Sequence, residues 1–411
     1  MSDDYPKLRA VEAFPVEHEG RRFVGLRDPA GYTASVLLLP VEAIEVVSRF
    51  DGQHSVRDIQ AMLTRRTGEL VYRDTIDRVI EMLDEHGFLD SARFAERKRG
   101  VEQEFHDAAC RLAAHAGGAY PGDPDALRAA FDRFFEPPAG PGAIASSSAL
   151  TPGEILEAVV APHIDFHRGG PAYAWAYRDV AERCPADVFV VFGSCHAGMP
   201  DAFAITRKDY DTPLGPAPVD QDFVEHLVAR SPIDLFASEL AHRSEHSIEF
   251  QAVCLRYLFD DRRPFTIVPI LASFAHEAML HGSVPEHDSR VLGVLDAVVE
   301  TASACGRRVA FVAGADLAHV GPRFGDPRPL TPADMAQVAD EDREMLRAVE
   351  EGDPKAFFAS VAADGDRRRI CGLSPIWSVL YALGGRRGTV RHYGQTPDPS
   401  CVVTFASVVF P

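Results

Sequence analysis

Short apolar runs that alternate with helical stretches are the feature that most constrains the fold of this chain. The stretch 288–303 places Val291, Leu295 and Val298 at helical spacing and then leads directly into the apolar run Val309–Ala313. This order is half of a β-α-β unit, so the sequence predicts an α/β fold with a central sheet flanked by helices. The strand candidates are Ile155–Ala161, Val188–Phe192, Phe265–Ile270, Val309–Ala313 and Val402–Val409.

The first part of the chain has a different pattern and predicts a small separate α+β domain with a winged-helix-like outline. Residues 20–38 indicate a hairpin around the turn Asp28–Gly31. Three amphipathic helices follow; Ser55 is a candidate cap for the second, and Gly87 ends the third. We therefore divide the chain into a domain at 1–98, a connector at 99–112 and an α/β domain at 113–411.

The charge balance limits the classes of partner. The 411 residues include 42 Lys and Arg against 61 Asp and Glu, which gives a formal net charge of −19. Such an acidic surface repels phosphate backbones and anionic lipid, so we expect no nucleic-acid partner and no membrane partner. The N-terminus does not resemble a signal peptide, and seven cysteines without paired spacing fit a reducing compartment. These features predict a cytoplasmic protein.

Histidines follow three of the apolar runs, at the point where each predicted strand ends. A single histidine in such a loop is most often an imidazole satisfied by a carbonyl group, but three independent placements are harder to explain in that way. Because ligands of open α/β sheets bind beyond the carboxyl ends of the strands, the pattern predicts a shared metal or catalytic centre at one sheet edge. The residues concerned are His163 with Asp165 and His167, His196 beside Cys195, and His319 with Asp316.

Cys371 is a further candidate, because it immediately precedes the apolar helix predicted at Pro375–Leu383. A helix N-terminus favours a thiolate, which is a nucleophile and a soft metal ligand; the alternative is a buried, inert thiol. Two imidazoles and a thiolate suit iron(II), copper or zinc, and ligand softness alone does not choose among these metals. Asp316 and His319 would then be acid/base partners for a substrate proton.

A helix predicted near 239–259 carries Glu245, His246 and Glu249. The two carboxylates lie one turn apart on the same face. They either orient a ligating imidazole or belong to a solvated helix face. The spacing is not that of a His-Glu-x-x-His zincin, and the chain contains no glycine-rich nucleotide-binding motif.

From about residue 113 onwards, the chain resembles the Memo-like family, known as protein B of the AmmeMemoRadiSam system. The resemblance rests on many short motifs in a fixed order and covers nearly three quarters of the chain. The motifs are Gly118–Asp123, Ala161–His163, Phe192–His196, Thr212–Gly215 with Val219-Asp220, Glu245–Glu249, Val268–Ile270, Asp316–Gly321 and Cys371-Gly372. The N-terminal unit, especially Phe50–Gly52 and Gly87–Leu89, is similar to small peptide-binding PqqD-like domains.

The resemblance implies a fold like that of the LigB-type class III extradiol dioxygenases, in which a non-haem metal is held at one sheet edge. Matching the motifs implies that His163, His196 and Cys371 are the metal ligands. It also implies that Asp316 and His319 line the same pocket, and that His246 lies close to it.

One departure from the family pattern lies beside the first implied ligand. The family usually continues Ala-Pro-His with Ala-Gly-Tyr, whereas this chain has Ile164-Asp165-Phe166-His167. Asp165 and His167 could therefore add a ligand, form a second metal site or bind a substrate.

These observations predict a metal-dependent redox enzyme, with iron(II) as the first choice of metal and copper or zinc as alternatives. Its substrate would be a small molecule or a peptide, with O₂ or a thiol as co-reactant. A second hypothesis is a peptide- or protein-binding accessory module for a radical SAM partner protein. A third is a zinc hydrolase, in which the same residues hold zinc and a water molecule.

Overall fold

The structure is a computed structural model that describes residues 5–33, 36–145, 154–260 and 262–411. The chain divides into two units, Met1–Ala108 and Ala109–Pro411. Residues 99–107 of the expected connector are helical in the first unit, and residues 110–111 form a short strand of the second.

In its described residues, the first unit combines a three-stranded antiparallel sheet with four helices. The predicted hairpin is β2 and β3, which pair antiparallel across the Asp28 turn, whereas the pairing of β1 with β2 was not predicted. Ser55 caps α2 in a reciprocal capping box with Asp58, as its position suggested. Residues 1–4 and 34–35 of the predicted domain lie outside the described residues. The elements are β1 Glu12–His18, β2 Arg21–Arg27, β3 Leu37–Pro40, α1 Val41–Val47, α2 Val56–Thr67, α3 Arg73–Glu85 and α4 Ala92–Asp107.

The second unit has strands and helices in alternation. In chain order they are β4 Cys110–Arg111, α5 Pro124–Phe134, β5 Ala158–Ala161, α6 Phe166–Arg183, β6 Val188–Ser194, β7 Phe203–Ile205, β8 Asp209–Tyr210, α7 Gln221–Arg230, α8 His246–Phe259, β9 Thr266–Ala272, α9 Ala275–Leu280, α10 Ser289–Ala304, β10 Val309–Gly314, β11 His319–Val320, α11 Pro332–Glu350, α12 Pro354–Ala362, α13 Leu373–Leu383, β12 Thr389–Gln395 and β13 Val402–Phe410. A 3₁₀ turn at Glu239–Arg243 precedes α8.

A mixed eight-stranded sheet is the centre of this unit. The strand order is β11-β13-β5-β10-β6-β9-β7, and β12 pairs with β13. The neighbours β5, β10, β6 and β9 run parallel, and their residues are almost continuously buried and apolar, as expected for a sheet covered on both faces. Each of the five strand candidates overlaps an observed strand of this sheet. The predicted α/β class is therefore confirmed.

Helices flank this sheet. Helix α6 packs on β5 and β13, α8 packs on β6, β10 and β9, and α13 packs on the same central strands. Trp377 of α13 is fully buried and lies edge-on to Phe274, which follows β9. Among the described residues, no helix is both long enough and apolar enough to cross a bilayer.

Asp220 ties the start of α7 to two other parts of the second unit, and we expect its stabilising contribution to depend on pH. Its buried carboxylate accepts hydrogen bonds from the Phe223 amide (2.9 Å), the Thr266 hydroxyl (2.6 Å) and the Arg307 guanidinium (2.7 Å). Burial raises the pKa of Asp220, but Arg307 and the other donors outweigh burial and lower it. A carboxyl group with a lowered pKa stabilises the fold above its unfolded pKa of about 3.9 and loses this effect as the pH falls further.

The variant Asp220→Asn should therefore lower the free energy of unfolding by about 1–2 kcal/mol at pH 7, since hydrogen bonds to a charged group are lost. The difference from the parent protein should shrink as the pH falls below about 4. Denaturant titration at several pH values, followed by tryptophan fluorescence, measures this difference. Glu225→Gln, which removes an exposed charge from the same helix, is the matched control. A difference that stays constant between pH 7 and pH 3 would contradict the argument.

Candidate metal centre

Three imidazoles converge beyond the carboxyl ends of the parallel strands. Strand β10 lies between β5 and β6, and its last residue, Gly314, is in register with Ala161 on one side and Gly193 on the other. Chain segments that leave these strands therefore emerge side by side. His163 follows β5 and His196 follows β6, and their ring centroids are 4.9 Å apart.

His246, the first residue of α8, completes the group. Its ring centroid lies 4.5 Å from that of His196 and 5.2 Å from that of His163. One ring nitrogen of each histidine lies within 4.8 Å of those of the other two, which is a spacing that could hold a metal ion. Helix α8 approaches the strand ends closely because Gly193 and Gly314 have no side chains; a Cβ at either position would lie 2.5 Å from an oxygen of Ser247.

His163 is held as a neutral imidazole whose Nε2 can act as a metal ligand. Its Nδ1 lies 2.9 Å from the carbonyl oxygen of Gly314 and donates to it, so the lone pair is on Nε2. Its backbone amide donates to Asp316 Oδ1 at 3.0 Å. Burial, together with the neighbouring His196, lowers the pKa of His163 to about 3.

Glu245 orients the second imidazole. Its carboxylate accepts hydrogen bonds from the backbone amide of His196 (2.7 Å) and from His196 Nδ1 (3.0 Å), so Nε2 carries the lone pair when His196 is neutral. Burial opposes a charge on His196, but the Glu245 carboxylate outweighs burial and raises the pKa of His196. Burial likewise disfavours the carboxylate, yet His196 and His246 hold the pKa of Glu245 well below its usual range.

The same carboxylate fixes the start of α8. Glu245 is the N-cap of this helix and accepts from the amides of His246 (2.8 Å) and Ser247 (3.0 Å). Burial lowers the pKa of His246 well below its ordinary value, which the nearby Glu245 only partly offsets. His246 is therefore a neutral donor at neutral pH, as a metal ligand must be.

Cys371 places a sulfur beside this cluster. Its Sγ lies 3.1 Å from His163 Nε2, and its carbonyl oxygen accepts from the Ser194 hydroxyl at 2.8 Å. Burial and the Asp316 carboxylate raise the pKa of Cys371 well above its usual value, which opposes the thiolate expected at a helix N-terminus. Without a bound cation the residue is therefore a thiol.

Asp316 and His319, the expected acid/base pair, lie beside His163. Asp316 Oδ2 is 3.8 Å from His163 Nε2, and burial raises the pKa of Asp316 to about 6. His319 Nδ1 donates to the Leu317 carbonyl at 3.2 Å, so its Nε2 carries the lone pair. Burial lowers the pKa of His319, although the charge of Asp316 opposes this shift.

The structure does not bring Asp165 and His167 into the cluster. Asp165 is the N-cap of α6 and pairs with Arg168 (2.6 Å), while His167 is exposed on the first turn of that helix. Cys195 is half-buried next to His196, and burial together with Glu245 raises its pKa to about 12.

Glu249, four residues after Glu245, does not touch the three imidazoles. It is fully buried and forms an ion pair with Arg111, so it does not belong to a solvated helix face. Its other oxygen accepts from the Tyr120 hydroxyl and from the His115 amide.

Arg111 and His115 are residues that the sequence analysis missed. His115 lies edge-on to His246, with ring centroids 5.7 Å apart, and Arg111 is fully buried behind the same helix. Neither residue follows a strand of the large sheet, so strand-end reasoning could not find them. Their nearest signal is the motif Gly118–Asp123 that follows them in the chain.

The donor set of the site fits a transition metal. Three imidazoles and a cysteine sulfur are nitrogen and sulfur ligands of the type that iron, copper and zinc accept. Hydrogen bonds to the second nitrogen of His163 and His196 fix their tautomers, as is usual for metal-bound histidine. The residues present therefore suit a bound metal ion.

Comparison with known proteins assigns the family. The model for "Memo-like protein" matches residues 111–409. A MEMO1 family protein of Aquifex aeolicus is 28% identical over 98% of this chain and 99% of its own length, and thus spans both units. MEMO1 family proteins of Methanopyrus kandleri and Aeropyrum pernix are 28% and 30% identical over 73% and 70% of the chain, and over 98% and 93% of their own lengths. The crystal structure of an uncharacterized Escherichia coli protein covers 62% of this chain and all of its own, with 18% identity and a TM-score of 0.36. The chain therefore belongs to the Memo-like family.

Proposed function

We propose that this protein is a metal-dependent redox enzyme that uses iron(II) bound by His163, His196 and Cys371, with His246 as a neighbouring donor. The observation that carries the proposal is the convergence of three imidazoles around one point, with the Cys371 sulfur 3.1 Å from His163 Nε2. A mixed nitrogen and sulfur ligand set tolerates a change in the oxidation state of iron. A bound iron ion would supply one-electron chemistry and Lewis acidity.

The protein groups around the centre orient ligands and control protons. The Gly314 carbonyl and the Glu245 carboxylate each hold the Nδ1 atom of one imidazole, which leaves Nε2 of each as the ligand atom. Cys371 must lose its proton on binding, and a bound cation compensates for the burial that keeps it protonated. His319 keeps a lone pair on Nε2 and can accept a proton from a substrate.

Exposure of the three imidazoles indicates where a substrate would approach. The side chain of His163 is 2% exposed, whereas those of His246 and His196 are 28% and 38% exposed. The centre is thus closed on the side of the sheet and open on the side of His196. A small molecule or an exposed peptide side chain can reach it from that side.

Metal analysis of protein produced and purified without oxygen tests the proposal. We expect close to one iron per chain, or uptake of one iron(II) by metal-free protein under anaerobic conditions. An oxidant should then change the oxidation state of the bound iron, which electron paramagnetic resonance can follow. Failure to bind iron would overturn the proposal. Preparations that hold only zinc and show no redox change would also overturn it, and they would favour the hydrolase hypothesis.

The role of Cys371 has a separate spectroscopic test. Cobalt(II) bound to a thiolate gives a sulfur-to-metal charge-transfer band in the near ultraviolet, and Cys371→Ser should remove this band and weaken binding. Cys401→Ser is the matched control, because this buried free thiol lies elsewhere in the second unit. If the band persists in Cys371→Ser, the sulfur is not a ligand and the proposed ligand set is wrong.

A further inference from the structure

We propose that Arg111 is a positioning residue of the metal centre, an inference that rests on the proposed function. Arg111 lies in β4 and is fully buried. Its guanidinium donates from Nε to the His242 carbonyl (2.9 Å) and from Nη2 to the Glu245 carbonyl (2.7 Å). Nη1 donates to the Leu112 carbonyl (2.8 Å) and to the Glu249 carboxylate. Arginine has five N–H donors, and the fold uses at least four of them here.

Three of these acceptors belong to one short segment, His242–Glu249, which carries two groups of the centre. The segment runs from the end of the 3₁₀ turn into the first turn of α8. It presents Glu245, which orients His196, and His246, which is one of the three converging imidazoles. Arg111 thus holds the backbone at His242 and Glu245 and the side chain of Glu249, on both sides of His246. It does not touch the imidazole cluster itself, so it acts through the segment.

Neighbouring contacts hold the same segment from both flanks. The His115 side chain donates from Nε2 to the Ser244 carbonyl (3.0 Å), and its amide donates to Glu249 (3.0 Å). On the other flank, the Tyr210 hydroxyl lies 2.7 Å from His242 Nδ1, and the Arg111 guanidinium lies 4.9 Å from the Tyr210 ring centroid. Arg111 contacts residues on both flanks and therefore links the two sets of contacts.

Charge explains why an arginine is needed at this position. Glu249 is fully buried, and a buried carboxylate without a cationic partner is strongly unfavourable. Lysine could supply the charge, but its single ammonium group cannot reach two carbonyls and a carboxylate in a fixed plane. Loss of Arg111 would therefore remove the hydrogen bonds that hold the start of α8. Glu245 and His246 would then no longer be fixed in position relative to His163 and His196.

The experiment compares the affinity for Zn(II) of the whole chain and its variants, by competition with a chromophoric chelator. Arg111→Met should lower the affinity about 10–100-fold, the range typical of partners that orient metal ligands. Arg391→Met is the matched control, because Arg391 also pairs with a poorly exposed carboxylate, that of Asp179 (2.8 Å), and does not contact the segment. Its affinity should stay within about threefold of the parent protein. Melting temperatures are measured for all variants. Each affinity is then measured at the same number of degrees below the melting temperature of that variant.

Further variants keep the proposal testable if Arg111→Met does not fold. The double variant Arg111→Gln with Glu249→Gln removes both charges and leaves no unpaired carboxylate, and it should still lose at least 10-fold in affinity. Arg111→Lys should also bind zinc more weakly than the parent protein. Parent-like affinity in any folded Arg111 variant overturns the positioning role and leaves the proposed function intact. A parent protein that binds no metal overturns the proposed function itself, and the positioning role with it.

Discussion

Replacing His163 with alanine should abolish stoichiometric metal binding while the protein remains folded. His163 is the most buried of the three imidazoles, and its Nε2 faces both the Cys371 sulfur and Asp316. Its removal takes one ligand atom from the centre, and the lost atom belongs to the imidazole that is held most firmly by burial. Because loss of a group that only orients a ligand costs about 10–100-fold in affinity, we expect loss of the ligand itself to cost on the order of 100-fold or more.

The chain offers a matched control for this change. His167→Ala removes an exposed imidazole four residues away, outside the cluster, and should bind metal like the parent protein. Isothermal titration with Zn(II) and elemental analysis after gel filtration measure affinity and stoichiometry, and circular dichroism confirms that both variants are folded. If His167→Ala loses as much affinity as His163→Ala, the alternative raised by the departure from the family motif is right. The centre then includes the segment that begins α6.

The strand-end pattern predicted those residues of the centre that come directly after a strand in the sequence. His163, His196 and Asp316 each follow a strand within a few residues, and parallel neighbours in a sheet bring such residues to one edge. The contribution of His246 could be predicted only from the family resemblance. It starts a helix, and its distance from the strand ends depends on how closely α8 packs on Gly193 and Gly314. That packing is a property of the tertiary structure.

Asp165 and His167 are close to His163 in the sequence, but this proximity did not place them in the metal centre. Asp165 was a candidate ligand, but it caps α6, and the first turn of that helix carries His167 out to solvent. The capping requirement of the helix determines the direction of both side chains. Arg111 shows the opposite case. It lies more than 130 positions from Glu245 and Glu249 in the chain, and only the folded structure brings its guanidinium to them.

Gly314 is the residue at which β10 meets α8, and we expect its replacement by alanine to lower the stability of the second unit. A Cβ at this position would lie 2.5 Å from the Ser247 carbonyl oxygen and 2.9 Å from Gln251 Nε2. The carbonyl belongs to the first turn of a buried helix, so it cannot rotate away as a flexible side chain would. Gly314→Ala must therefore push β10 and the start of α8 apart. Such overpacking costs about 1–3 kcal/mol of unfolding free energy.

The same displacement should weaken metal binding, because it acts on two sides of the centre. The Gly314 carbonyl holds His163 Nδ1, and the first turn of α8 carries His246. We expect a loss of affinity for Zn(II) on the order of 10-fold, as for other groups that orient ligands. Denaturant titration followed by tryptophan fluorescence measures the stability of the second unit, since Trp175 and Trp377 both lie in it.

Gly122→Ala is the control for this substitution in the same unit. A Cβ at Gly122 would meet its nearest neighbour, the Gly117 amide nitrogen, at 3.5 Å, which is ordinary contact. Its stability should change by less than about 0.5 kcal/mol, and its metal affinity should not change. If Gly314→Ala loses stability but binds zinc like the parent protein, then the position of α8 does not control the centre. His246 would in that case lie beside the metal without ligating it, and the ligand set would be His163, His196 and Cys371 alone.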